Sequence, residues 1–174
     1  QGNPETKYGK IVVSDGSELL YVEANATEVT GKIDFQYDGN TLQGELNTDN
    51  GKLKMVSSDF ELSSNGDKQG NGFVELKAGD LTTKLAVDRN DHSGEVLFSK
   101  GDELFHLKGN KNDNYAMVDI NVDGSKMFAE IKDSIRFESG PIYMVGKPDG
   151  TGRAIYKDND KRAELEKTKE EIQL

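Results

Sequence analysis

Apolar and polar residues alternate along most of this chain. In residues 31–37, GKIDFQY, the side chains of Ile33, Phe35 and Tyr37 take one side, and Lys32, Asp34 and Gln36 take the other. Leu42 and Leu46 share a side with Gly44, Leu53 goes with Met55, and Phe60 with Leu62. Leu81, Thr83, Leu85 and Val87 repeat the pattern. A period of two is the mark of a strand with one face toward an apolar surface. Turn signals punctuate these runs: SDGS at 14–17, YDGN at 37–40, SSNGDKQGNG at 63–72, RNDHSG at 89–94, VDGS at 122–125 and KPDGTG at 147–152. Their Asp-Gly and Asn-Gly pairs supply the positive φ of tight hairpins. Connections this short join antiparallel neighbours, because parallel strands need long crossovers. The pattern predicts an all-β, antiparallel meander of about twelve short strands, closed as a sandwich or barrel or left as a long curved sheet.

Three segments carry apolar residues on both sides: GEVLFSK at 94–100, ELFHLK at 103–108 and PIYMVG at 141–146. They read as central strands, or as strands with a second surface to cover. Val96, Phe98, Leu104, Phe105, Leu107 and Met144 are the candidate residues to line a site for an apolar or amphipathic ligand. The seven Phe are expected in the core.

The ends differ from the middle. Residues 1–6 carry no pattern and are expected to be disordered, with a single all-β domain over 7–157. Residues 158–174, DNDKRAELEKTKEEIQL, lack Gly and Pro and start on residues that cap helices, so a short C-terminal helix is expected there. No repeat is firm enough to assign within the strand–turn rhythm.

Charge narrows the partners. The net charge is −10 and the isoelectric point about 4.7. This acidic chain offers no basic field for nucleic acid or for an anionic membrane surface. It contains no Cys, which removes disulfides, zinc–thiolate centres and cysteine nucleophiles. No apolar run is long enough for a membrane-spanning helix. The first residue is Gln, which leads us to expect a removed export signal and a periplasmic, cell-surface or secreted location.

One motif calls for a decision. Residues 119–130, DINVDGSKMFAE, place Asp119, Asn121, Asp123, Gly124 and Glu130 at the ligand and glycine positions of a twelve-residue calcium loop. Ile120 and Val122, however, continue the alternation of Ala116 and Val118, and no helix pattern flanks the stretch. A β-hairpin with Asp123-Gly124 at its tip accounts for more residues, so no metal is assigned. His92 falls in a turn and His106 on a strand surface. GKPDGTGR at 146–153 leads into a strand pattern and reads as a turn, not a phosphate loop. The sequon Asn25-Ala26-Thr27 falls within a strand by the same reading.

No catalytic constellation emerges, and no cofactor is implied. The strand rhythm and the acidic, Trp-free composition are similar in a general way to bacterial envelope β-proteins, such as periplasmic lipid-carrying jelly rolls and surface lipoproteins. No motif singles out one of them. The expected function is non-enzymatic: binding of an apolar or amphipathic ligand such as a lipid. The alternative is a structural or interaction module, an adhesin, appendage or virion component, that meets a protein partner through strand edges and polar loops.

Overall fold

The computed structural model describes residues 2–5 and 7–169 and the backbone of residues 172 and 173. The chain divides into two compact units, residues 1–89 and 90–174. In the first unit the strands are β1 (Gly2–Asn3), β2 (Tyr8–Asp15), β3 (Glu18–Asn25), β4 (Thr30–Tyr37), β5 (Asn40–Leu46), β6 (Asn50–Val56), β7 (Glu61–Asp67), β8 (Gly72–Ala78) and β9 (Leu81–Asp88). The second holds β10 (Ser93–Lys100), β11 (Glu103–Asn110), β12 (Tyr115–Val122), β13 (Ser125–Ile131), β14 (Ile135–Ser139), β15 (Ile142–Gly146), β16 (Gly152–Asp158), β17 (Lys161–Lys167) and β18 (Ile172–Gln173). Within each unit every strand pairs antiparallel with its sequence neighbours, so each is an up-and-down meander. No helix occurs among the described residues.

Three expectations are corrected. The C-terminal helix is absent: Asp158 ends β16, Lys161–Lys167 is β17, and the two pair from Asp158↔Lys161 to Gly152↔Lys167. Residues 170, 171 and 174 lie outside the described residues. Lys, Glu, Leu and Ala favour helices, but propensity is a weak prior. Ala163 and Leu165 are spaced by two, which puts both on the side of β17 that meets Tyr156 and Ala154 across the strands. The residues before Lys7, expected to be disordered, contribute β1, which pairs Gly2 with Gly9 and Asn3 with Tyr8; residues 1 and 6 are not described.

The strand number is the third correction, because several turns contain no glycine. Ala26–Val29 turns where a continuous strand was expected: Asn25 Oδ1 accepts the Thr27 and Glu28 amides at 3.0 and 3.2 Å, and Val29 takes φ 52°. The sequon Asn25-Ala26-Thr27 therefore sits at a strand end and turn. Ser57–Phe60 and Lys132–Ser134 also reverse the chain, each closed by a backbone hydrogen bond, at 2.9 Å and 3.0 Å. Conversely, Ser63–Asp67, expected in a long turn, is part of β7.

The two units share a plan that shows in both backbone and sequence. Lys7 and His92, 85 positions apart, take φ 49° and 50°, and their carbonyls accept the amides of Ala26 (3.1 Å) and Lys111 (3.0 Å). Val29 and Asn114, at the same spacing, take φ 52° and 49°. Asn110 Oδ1 accepts the Asn112 and Asp113 amides as Asn25 does those of Thr27 and Glu28. At that spacing Gly16 matches Gly101, Glu18-Leu19 matches Glu103-Leu104, Asp38-Gly39 matches Asp123-Gly124, and Glu45 matches Glu130. This is an internal duplication. Past β5 the spacing drifts, because β14 and β15 have five residues each where β6 and β7 have seven.

Candidate interaction face

Strand register sorts every side chain onto one of two faces. In the first unit, one row across the strands reads Ile11, Val22, Ile33, Gly44, Leu53, Ser64, Val74, Leu85. Two residues along, a second row holds Leu20, Phe35, Leu42, Met55, Leu62 and Leu76. On the other side of the first lies a glycine-rich row, with Gly31, Gly51, Gly66 and Gly72 alongside Leu46 and Val87. From β2 to β9 none of these three rows contains an ionisable side chain.

The second unit repeats this face. One row runs Val96, Leu107, Val118, Ala129, Phe137, Met144, Ala154, Leu165, and the next holds Phe98, Phe105, Ile120, Met127, Ile142 and Tyr156. The third row begins Gly94, Gly109, Ala116, Ile131 and ends on Lys167, the one charge in these three rows; beyond the second row the same face carries Lys100 opposite Glu103 and Asp158 opposite Lys161.

These are the inward faces of a β-sandwich by composition, yet among the described residues no second layer covers them. Among the described residues no hydrophobic side chain is buried; Ile11 is 59% exposed, Leu85 53%, Val74 49% and Met144 42%. Gly44 is the one buried residue among those described. A Cβ there would lie 2.9 Å from Ile33 Cγ2 and 3.3 Å from Leu53 Cδ1, so glycine lets those two side chains close over the strand between them.

The opposite faces are charged. In the first unit Lys10, Glu23, Lys32, Glu45 and Lys52 form one row of alternating sign across five strands. Glu45 lies 2.8 Å from Lys52 and 3.9 Å from Lys32, and Lys54 lies 2.9 Å from Glu61. The Glu23 carboxylate accepts the hydroxyls of Tyr8, at 2.8 Å, and Tyr21, while the Lys10 ammonium stands 4.7 Å from the Tyr21 ring centroid. The hydrogen bonds from Tyr21 and Tyr8 hold the Glu23 carboxyl below the ordinary range, and the same contacts push both phenols up. In the second unit Glu164 takes Arg153 and Arg162 together, which lowers its pKa, with the Arg162 hydrogen bond the largest cause. Arg136 binds Glu138 and lies 5.3 Å from the Phe128 ring centroid. His106 Nε2 and Glu95 Oε1 are 2.9 Å apart. The long stems of Lys and Arg cover the sheet on this side and keep their charges in water.

The candidate lining residues divide between the faces. Val96 pairs with Leu107, and Phe98 with Phe105, so these four form one apolar cluster. Met144 is in the row of Val96 but five strands away, roughly 24 Å at ordinary strand spacing. Leu104 lies on the charged face, opposite Ser99 and Asn121. The Phe residues divide as well. Phe73 and Phe128 belong to charged-face rows, and Phe60 to a turn, so the seven do not share a core. The missed signal was continuity from strand to strand: the uncharged rows emerge only when successive strands are read in register.

Residues 119–130 form the hairpin of β12 and β13, with Asp123 (φ 49°) and Gly124 (φ 76°) in a two-residue turn of the I′ kind. Asp119 stands opposite Phe128, and Glu130 opposite Met117. No group of three or more His, Cys, Asp or Glu side chains among the described residues is arranged to hold a metal ion. No helix of the described residues is long and apolar enough to cross a membrane. No family model matches the chain, and neither does any curated protein or solved structure.

Proposed function

We propose that this protein is a non-enzymatic interaction module of the cell envelope or the extracellular space, and that it works by docking its uncharged sheet face against a flat apolar partner. The observation that carries this reading is the run of apolar rows, free of ionisable residues in the first unit and charged only at Lys167 in the second, exposed in both. A sheet with one apolar face must bury it against another layer, and uncovered apolar patches of several hundred Å² mark interaction sites. The titratable clusters are carboxylates paired with cations or phenols on an open surface, where water is not excluded from a reacting group. That arrangement favours scaffold over catalyst.

A single small lipid fits less well than a broad partner. Small-molecule sites enclose about 70–90% of their ligand, and Val96, Phe98, Phe105 and Leu107 lie on an open face with no wall opposite. The test is a photo-crosslinking amino acid placed at Leu53 on the uncharged face, or at the adjacent Lys54 on the charged one, in cells that make the protein. Adducts are expected from position 53 and not from 54. Adducts from 54 alone, or from neither, would refute the reading.

A further inference from the structure

We infer that the occupant of the uncharged face is a second copy of this chain, so that two molecules meet sheet to sheet as an isologous dimer. This rests on the docking reading above and goes one step further, to the identity of the partner.

Area is the first argument. Eight strands at ~4.8 Å spacing and three side-chain rows make a patch of roughly 34 by 17 Å, on the order of 600 Å² per unit. One unit face set on its counterpart in a second copy takes on the order of 600 Å² from each partner, about 1,200 Å² in total, which is the lower end of the range of standard stable interfaces. The patch is therefore large enough for a stable dimer.

Charge is the second argument. With a net charge of −10, two copies repel wherever their general surfaces approach. In the first unit the three uncharged rows form an extended surface on which copies can meet without placing like charges together. The same acidic balance opposes an anionic lipid surface, which attracts basic segments.

Geometry is the third. An isologous contact needs a patch that complements itself. Flat faces of β-branched and leucine side chains pack on like faces ~10 Å apart, as the two halves of a sandwich do. The glycine row beside the bulky rows adds the relief that interdigitation needs: Gly31, Gly51 and Gly66 lie next to Ile33, Leu53 and Ser64.

The experiment is sedimentation velocity on the full chain from about 1 µM to about 1 mM, a span that covers standard dimer affinities. The expected species has twice the 19.2 kDa chain mass. Leu53→Glu and Phe137→Glu, one on the uncharged face of each unit, are each expected to raise the dimer dissociation constant at least about a hundredfold, the scale of burying an unpaired charge. Lys54→Glu is expected to leave it unchanged. Circular dichroism checks that each variant keeps its strands. Should a glutamate variant unfold, the benzophenone side chain at position 53 of purified protein replaces it, with a covalent product of twice the chain mass expected. Three results overturn the inference: a monomer at every concentration, a dimer that both glutamate variants leave intact, or a monomer that floats with phosphatidylcholine vesicles. Adducts from position 53 to some other species would also end it, while leaving the broader docking reading standing.

Discussion

The two units keep one face alike and let the other diverge. At the 85-residue spacing, Ile11 corresponds to Val96, Leu20 to Phe105, Ile33 to Val118, Leu42 to Met127 and Leu46 to Ile131: each apolar residue is replaced by another. On the charged face the pairs change kind. Lys10 faces Glu23 across β2 and β3, and in the corresponding place Glu95 faces Lys108, with the signs exchanged. Tyr21 corresponds to His106, Lys32 to Met117 and Gln43 to Phe128. A cross-strand ion pair needs opposite charges, and either order supplies them. A face that must stay dry against a partner has less freedom. The difference is what the proposed docking face, backed by a solvated face, would require.

The largest expected effect tests whether the units are equally strained. Gly72 and Gly152 open β8 and β16, each opposite another glycine, Gly66 and Gly146. A Cβ on Gly72 would overlap the Asn65 carbonyl oxygen, whereas one on Gly152 would come 2.8 Å from the Val145 oxygen. Backbone atoms in a paired strand cannot move aside cheaply. Gly72→Ala is expected to cost about 2–3 kcal/mol, and Gly152→Ala about 1 kcal/mol. Hydrogen exchange read by peptide separates them. Faster exchange is expected in β6–β9 for the first variant, and a smaller rise in β14–β17 for the second. Equal effects would mean that the first unit is no more tightly built at this point than the second.

A smaller effect concerns the turns that carry no glycine. Asn25 and Asn110 each accept two turn amides through Oδ1, and removing that acceptor leaves both amides to water. Asn25→Ala and Asn110→Ala should each cost about 1 kcal/mol, as a lost side-chain cap does. Val29 and Asn114, at the matched turn positions, sharpen the comparison. A β-branched residue is rare at φ 52°, while asparagine tolerates φ 49°. Val29→Asn is expected to stabilise the first unit by a few tenths of a kcal/mol, and Asn114→Val to destabilise the second by about 1 kcal/mol. Thermal unfolding would check all four.

How far the sequence was legible follows from which signals are local. Alternation within GKIDFQY or LTTKLAVD specifies a strand and its two sides, so the all-β antiparallel class was readable. KRAELEK alternates as well, but its residues favour helix, and only pairing with β16 decides between the two. Turns built on Asp-Gly announce themselves. Those closed by Asn25, or by Ser57–Phe60 and Lys132–Ser134, do not, and strands were merged across them. The duplication was hidden because its matches concentrate in turns, while strand positions keep only apolar character or reverse their charge. The candidate lining residues suffered from a related limit. Alternation shows that Phe98 and Leu107 take an apolar side, but not that the side lacks a second layer. It also shows nothing of which strands bring Met144 within reach.

The smallest expected effect is a pH dependence that belongs to one unit. Glu23 accepts two phenolic hydroxyls on the charged face of β2 and β3, and these lower its carboxyl from the ordinary value of 4.5. The native state therefore binds the proton less readily than the unfolded chain does. The stabilisation from Glu23 is complete above the unfolded value and is lost as pH falls through the lowered native one. Tyr8 and Tyr21 are raised from 10.0 by the same carboxylate, so their neutral forms are favoured in the native state. Their share is present below pH 10 and is lost as pH rises through the raised values. Glu23→Gln removes the carboxylate from both limbs. Its cost in urea-induced unfolding should be greatest near about pH 7 and should shrink at about pH 3 and again above about pH 11. In the second unit the corresponding pair is Lys108 and His106, which contains neither a carboxylate nor a phenol. A cost for Glu23→Gln that is the same at all three pH values would mean that the two tyrosine hydroxyls do not bias its ionisation.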